Sequence, residues 1–203
     1  CFDADPLFDH PAALRLAREF AGARHPESGV DARLWVGESG YSLTGARADH
    51  RLALASSRVP ALLAAVAHRL VAVHGLQLPP AAAGFAGSNG HTATEKEVHF
   101  VEQLTDDLIH NKGRCVILVV KRQEPAVHCL AAVLKHLLGA TGSTLDYSLA
   151  PDPDRPTHMQ AIADLAEGIN AGEFETLLIV GGNPVYDAPA DLGFSDLLNK
   201  VSA

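Results

Sequence analysis

The amino-acid sequence predicts an α/β domain with a doubly wound, mainly parallel sheet and helices on both faces, which is a Rossmann-like arrangement. Short apolar runs alternate along the chain with longer segments that have the apolar spacing of helices. Strands separated by helices favour parallel pairing. The 203 residues suit one hydrophobic core, so we expect a single domain over residues 1–203.

In the first part of the chain the sequence predicts a helix, a strand, a loop and a second helix. Residues 11–24 have helical spacing after Asp9, a candidate N-cap. Residues 33–37 are an apolar run bounded by polar residues and Gly, as in a strand buried on both faces. Residues 38–58 have neither the apolar spacing of a helix nor that of a strand, so we expect a long loop. Such loops are often functional. A helix over 60–75 then begins at a proline and ends at a glycine.

The middle of the chain contains the clearest local signals. A second loop is expected over 76–91. Residues 94–97 read Thr-Glu-Lys-Glu, a capping box that begins a helix ending near Asn111. Residues 115–120 read Cys-Val-Ile-Leu-Val-Val, the most hydrophobic run and the best candidate for a central strand. A helix over 125–139 follows, again from a proline to a glycine.

The last third of the chain is predicted to continue the alternation. Residues 144–149 suit a short strand, and the proline-rich residues 151–156 suit a rigid polar connection. Apolar spacing over 162–169 indicates a helix, and the apolar run 176–180 indicates the last strand. Residues 190–201 are predicted to form a terminal helix.

Composition excludes several kinds of partner. The chain has 16 Lys and Arg against 24 Asp and Glu, a net charge of −8, which argues against nucleic acid or an anionic membrane surface. The longest stretch without charged residues, 70–94, is interrupted by prolines and glycines, so we expect no insertion into a membrane and a soluble domain.

The potential metal ligands show no binding pattern. Eleven histidines include no His-x-His or His-Glu-x-x-His spacing, and the three cysteines include no Cys-x-x-Cys spacing, so we predict no metal site. Cys115 and Cys129 fall on apolar segments and are expected to be inert core residues. Too few cysteines are present to indicate the redox compartment.

Ligands of parallel sheets bind outside the carboxyl ends of the strands, so the loops after the strands are the candidate sites. Residues 181–184 read Gly-Gly-Asn-Pro, in which glycine amides could approach a ligand, although the same tetrapeptide is an ordinary tight turn. Asp3 and Asp5 could flank a ligand at a strand end, although we favour a role in beginning a helix. Ser39, Asp49 and His50 are the residue types of a serine hydrolase. Asp49 and His50 are neighbours in the sequence, which does not suit a Ser-His-Asp relay, so no catalytic residue is predicted.

Several stretches of the sequence together resemble one family, in the same order over nearly the whole chain. The most specific are Thr-Gly-Ala-x-Ala-Asp-His-Arg over 44–51 and Gly-Gly-Asn-Pro-Val-Tyr-Asp-Ala-Pro-Ala-Asp over 181–191. Phe-Asp-Ala-Asp over 2–5, the pattern of 12–20 and Leu-Trp-Val-Gly-Glu-Ser over 34–39 accompany them. The chain resembles the molybdopterin oxidoreductases, and more closely the large iron–sulfur subunit of the alternative complex III quinol oxidoreductases.

The resemblance implies two different roles. In molybdopterin oxidoreductases such a domain helps to hold a bis-guanine-dinucleotide molybdenum cofactor through loops at strand ends. The cofactor-side positions implied here are Gly181, Gly182, Asn183, Pro184, Glu38, Ser39 and Thr44. In the alternative complex III subunit the domain has lost this cofactor, and iron–sulfur clusters in a separate domain carry the electrons. The closer resemblance therefore implies a structural scaffold with no catalysis, metal or cofactor of its own.

The same resemblance implies a location and partners. The expected partners are other domains of the same chain and membrane subunits of a respiratory complex, on the outer, periplasmic face of a bacterial cytoplasmic membrane. Because the chain begins at Cys1 without Met, we interpret it as a piece of a longer protein. Lys121 and Arg122 stand where the family suggests a small-residue turn, and their charges either fill a former ligand space or attract a pyrophosphate.

Two alternatives remain open at the level of the sequence. The first is a true domain of an oxidoreductase that binds the molybdopterin cofactor, for which the turn at 181–184 and the polar loop at 38–49 are the motivation. The second is a nucleotide-binding α/β module, for which only the general fold pattern speaks.

Overall fold

The structure, a computed structural model, shows a mixed α/β fold that is mostly helical, with one small parallel sheet. About 50% of the residues are helical, and the sheet has two strands, so it is not a full Rossmann sheet. The chain divides into two compact units, Cys1–Tyr147 and Ser148–Ala203. The single-domain assignment stays a prediction. The structure describes residues 1–30, 32–84, 93–149, 152 and 154–201.

The long helices of the first unit form where the sequence predicts them, whereas two short ones, at Leu43–Ala46 and Pro80–Ala83, fall in segments predicted to be loops. The four long ones agree with the predicted segments, and a Thr94–Glu97 capping box begins the helix that follows it, as predicted. The first helix differs in its cap, because Ala12 and not Asp9 precedes it. The helices are α1 Ala13–Ala23, α2 Leu43–Ala46, α3 Val59–Ala72, α4 Pro80–Ala83, α5 Glu95–His110 and α6 Pro125–Leu137, with short 3-10 turns at Pro26–Ser28 and Ser56–Arg58.

The two strands are β1, Trp35–Glu38, and β2, His50–Ala53, and they pair in parallel. All four residues of β1 are buried, as the predicted strand over 33–37 requires. Both β2 and α2 lie inside the segment predicted to be a loop, so that prediction is wrong in part. Only Leu52 of β2 is buried, which explains why apolar spacing does not reveal this strand.

Two further segments extend the parallel arrangement without forming regular strands. Phe2 bridges Gly37 on one side and Val119 on the other, both in parallel. Its amide donates to the Leu118 carbonyl at 2.8 Å, and its carbonyl accepts from the Val120 amide at 3.0 Å. Residues 115–120, predicted to be the central strand, are therefore paired only near their carboxyl end. The order of segments is β2, β1, 1–3 and 118–120.

The core of the first unit is built around α3. Seven residues of this helix are buried, and it packs against α5 and α6. Trp35 of β1 contacts Phe100 of α5 edge-to-face at 5.3 Å and donates its indole N–H to Asp107 at 2.8 Å. Trp35 therefore joins the amino end of β1 to α5.

The second unit is small and helical. It contains α7 His158–Ala171, α8 Pro184–Asp187 and α9 Phe194–Leu198, with a 3-10 turn at Ala190–Leu192. A separate apolar cluster holds α7 and α9 together through Ile169, Phe194 and Leu197. The terminal helix predicted over 190–201 is thus divided by Gly193, which has a φ of 59°.

Two predicted strands are not formed. Leu145 makes only an isolated bridge to Thr141, within a turn. Residues 176–180 form no strand, and Leu178 and Val180 are more than 80% exposed, because no described segment of their unit pairs with them. Part of the predicted connection at 151–156, and part of the loop at 76–91, lie outside the described residues.

Membrane insertion was not expected from the sequence. Across the described parts of the chain, no helix has both the length and the apolar character needed to cross a bilayer.

Candidate functional site

A cavity of about 490 Å³ lies at the carboxyl ends of the parallel segments of the first unit. It is lined by residues 3–6, 9–10, 38–42 and 118–122. These loops follow three neighbouring extended segments, so the cavity occupies the place where parallel sheets bind ligands. Its volume is within the range of small-molecule sites.

Asp3 forms one wall of the cavity in a constrained geometry. Its Oδ1 accepts from the Ser39 amide and from the Ser39 hydroxyl, both at 2.8 Å, and its Oδ2 accepts from the Ser56 hydroxyl at 2.6 Å. Its φ is 53°, the only positive φ of a non-glycine residue in the part of the chain that the structure describes. Desolvation raises the pKa of Asp3, but these hydrogen bonds and the charge of Arg122 outweigh it, so the net pKa lies below the ordinary 3.8.

Asp3→Asn should destabilise the protein by about 1.5 kcal/mol at neutral pH, because the donors of Ser39 and Ser56 lose a charged acceptor. The pKa of Asp3 is lowered in the folded state, so its contribution is complete above 3.8 and is lost as the pH falls below that value. The difference in urea midpoint between wild type and variant should therefore shrink in acid. A difference that stays constant across this range would contradict the assignment.

Glu38, a predicted cofactor-side residue, turns away from solvent and into a partly buried ion pair. It is 2% exposed, and its Oε1 accepts from Nε of Arg51 at 2.5 Å. Its Oε2 accepts from the Ser42 hydroxyl at 2.5 Å. The carboxylate therefore connects the end of β1 to β2 and to the start of α2, and both of its oxygens are already occupied.

Gly45 is the residue that allows this arrangement. A Cβ at this position would lie 1.8 Å from Oε1 of Glu38. The first turn of α2 can thus approach the carboxylate only because residue 45 has no side chain.

Thr44, another predicted cofactor-side residue, is fully buried and supports Asp5. The Thr44 amide and hydroxyl donate to Oδ1 of Asp5 at 3.0 and 2.5 Å. The Thr44 hydroxyl also accepts from the Leu7 amide at 3.1 Å. Thr44 therefore holds residues 5–7 in place through hydrogen bonds and is not among the residues that line the cavity.

The remaining polar residues of the 44–51 motif have structural contacts of their own. Asp49 forms a two-pronged ion pair with Arg24 at 2.6 and 3.0 Å and accepts from the Leu34 amide at 2.8 Å. His50 stacks on Trp35, with ring centroids 3.7 Å apart. Because Asp49 faces Arg24 and the Ser39 hydroxyl donates to Asp3, these residue types do not form a hydrolase relay.

Three ionised side chains at the cavity have no such internal contact. Within the described residues, Asp9, Lys121 and Arg122 form neither a side-chain hydrogen bond nor an ion pair, and all three are exposed. Asp9 comes from the loop after residues 1–3, and the two cations come from the loop after residues 118–120. The sequence identified the two cations, whereas it assigned Asp9 to a helix cap.

The predicted site residues of the second unit form an ordinary turn. Gly181 has a φ of 72°, and Gly181, Gly182 and Asn183 are exposed. The Asn183 amide donates to Oδ2 of Asp187 at 3.1 Å, and Pro184 begins α8. This geometry is that of a tight turn, one of the two interpretations of Gly-Gly-Asn-Pro. The other cofactor-side residues, Glu38, Ser39 and Thr44, belong to the first unit.

Among the described residues, the His, Cys, Asp and Glu side chains are the potential metal ligands, and the cysteines differ in burial. No group of three or more His, Cys, Asp or Glu side chains there could hold a metal ion. Burial raises the pKa of the Cys115 thiol, which makes it a poor nucleophile. Cys129, expected in the core, is exposed.

The geometry therefore separates two sets of residues at this edge of the first unit. Glu38, Ser39 and Thr44 are engaged in internal hydrogen bonds, whereas Asp9, Lys121 and Arg122 line the cavity and form no side-chain hydrogen bond or ion pair among the described residues. Comparison of the chain with models of protein families and with curated proteins gives no match.

Proposed function

We propose that this chain is a molybdopterin-oxidoreductase-like domain of a membrane-associated respiratory electron-transfer subunit of the quinol oxidoreductase type, and that it is a structural scaffold without catalysis of its own. The observation that carries the scaffold role is the engagement of three of the cofactor-side positions, those that lie in the first unit. Glu38 is buried against Arg51, Thr44 is buried on Asp5, and Ser39 holds Asp3. Side chains fixed in this way stabilise the fold and are not available to a large cofactor.

The finer architecture belongs to the same proposal. We infer that the domain derives from a doubly wound, Rossmann-like sheet with helices on both faces. The parallel order of β2, β1, 1–3 and 118–120 supports this derivation, since four neighbouring segments run in one direction. In the same proposal its partners are other domains of the chain and membrane subunits of a respiratory complex on the periplasmic face, and the iron–sulfur clusters belong to those other domains.

The competing proposal is a domain that holds the molybdopterin cofactor. The cavity at the carboxyl ends of the segments favours it, because a cofactor domain needs an opening at this edge. In that case Lys121 and Arg122 would be the residues that could face a pyrophosphate.

Elemental analysis for molybdenum, tungsten and iron, with pterin fluorescence after oxidative release, separates the two proposals. The sample is the protein purified from its native membrane. The scaffold role predicts iron without molybdenum, tungsten or pterin. A stoichiometric pterin with either heavier metal would overturn it and favour the cofactor domain.

A further inference from the structure

The cavity at the carboxyl ends of the parallel segments is lined by several carboxylates, most of whose oxygens already accept hydrogen bonds within the protein. Asp3 accepts three hydrogen bonds from Ser39 and Ser56, and Asp5 accepts two from Thr44. Glu38 is paired with Arg51. Arg51 compensates the charge of Glu38, whereas the amide and hydroxyl donors hold Asp3 and Asp5 in place without cancelling the charges of these two carboxylates.

The charged side chains of the lining that form no side-chain hydrogen bond or ion pair within the described residues are of both signs. Asp9 contributes one negative charge, and Lys121 and Arg122 contribute two positive charges, of which Arg122 also acts on Asp3. The opposite charges come from two different loops that flank the same opening. A simple anion would be attracted by Lys121 and Arg122 but repelled by Asp9. A simple cation would be attracted by Asp9 but repelled by Lys121 and Arg122.

A ligand with a negative and a positive end satisfies both loops. We infer that this cavity binds a small zwitterion with a carboxylate and a primary ammonium group, of the size of a free amino acid or a dipeptide. Arg122 and Lys121 pair with the carboxylate, since a guanidinium matches a carboxylate in two-pronged geometry, and Asp9 pairs with the ammonium group. The volume of about 490 Å³ leaves room for a side chain as well.

This inference goes beyond the scaffold role, because binding requires no catalysis and no metal. The scaffold role is tested by metal and pterin analysis, whereas binding of the zwitterion is tested by ligand titration, so either proposal can fail without the other.

The test is calorimetric titration of the protein with each of the common amino acids and with glycine-containing dipeptides, which distinguishes the two sources of the ligand. The best binder is then compared with its N-acetyl and its amide derivatives. We expect saturable binding of the zwitterion and a loss of about tenfold or more in affinity for each derivative, as for loss of a charge-assisted hydrogen bond. Absence of saturable binding by every amino acid and dipeptide would overturn the inference.

Variants assign each end of the ligand. The double variant Lys121→Gln with Arg122→Gln should lower the affinity for the zwitterion and leave the affinity for its amide derivative, which has no carboxylate, unchanged. Asp9→Asn should lower the affinity for the zwitterion and leave the affinity for its N-acetyl derivative, which has no ammonium group, unchanged. The controls are Arg18→Gln with Lys96→Gln, and Asp146→Asn, which make the same charge changes at exposed positions outside the cavity. Equal weakening by the cavity variants and the controls would show a general charge effect and contradict the site.

Discussion

Gly45→Ala should lower the free energy of unfolding by about 3 kcal/mol, because the added methyl group overpacks a buried contact. The new Cβ would lie 1.8 Å from Oε1 and 2.5 Å from Cδ of Glu38. The carboxylate cannot move aside at low cost, since Arg51 and Ser42 hold its two oxygens and the residue is buried. Either the ion pair breaks or the start of α2 moves.

Urea denaturation at neutral pH measures this effect. Gly22→Ala is the matched control, because a Cβ there meets no atom within 4 Å and the residue lies inside α1. That control should be neutral or stabilise the protein by up to about 1 kcal/mol, as alanine favours helix. If the Gly45→Ala variant has the same urea midpoint as wild type, the Glu38 side chain can move aside at low cost, which contradicts this prediction.

The Gly45 result also bears on the role of the 44–51 motif. Its Thr, Gly, Asp, His and Arg members each have a contact inside the first unit, so the sequence pattern is explained by packing of the loop. A motif of this kind resembles a ligand site in sequence, because close approach of backbone and polar side chains is needed in both cases.

The helices could be predicted from the sequence because their signals are local. The capping box at 94–97 and the prolines that begin α3 and α6 act within one turn of the chain, and the apolar stripes repeat at helical spacing. Parallel strands depend instead on distant partners. Residues 176–180 have the composition of a strand but no partner among the described residues of their unit, whereas β2 has a partner and a weak pattern.

The loop after β1 was a candidate from the sequence because ligands of parallel sheets bind at the carboxyl ends of the strands, and this loop lines the cavity. The contacts of its side chains could not be read from the sequence. The sequence could not show that Glu38 turns inward, because its partner Arg51 is 13 residues away and reaches it only through β-pairing. The sequence assigned Asp9 to the cap of α1 because Asp is a common N-cap residue, but the structure has Ala12 at the cap, with no side-chain hydrogen bond.

Arg51→Met should destabilise the protein by about 3 to 5 kcal/mol, because it leaves the Glu38 carboxylate buried without its cation. Methionine keeps an unbranched apolar stem, so the loss reports on the charge more than on packing. The guanidinium also lies over the Tyr41 ring at 4.5 Å, a contact that adds a smaller contribution. Arg15→Met is the control, since its ion pair with Glu19 is exposed and long at 3.8 Å, and we expect a change below about 0.5 kcal/mol.

The double variant Glu38→Gln with Arg51→Met decides what the pair is for. With no charge left in the buried position, much of the stability lost in Arg51→Met should return. If Glu38 were a ligand-binding group held in reserve, Arg51→Met would free it toward the cavity and change ligand affinity while stability stayed near wild type. A scaffold predicts the opposite, a large change in the urea midpoint and no gain in binding, because the carboxylate exists to join β1, β2 and α2.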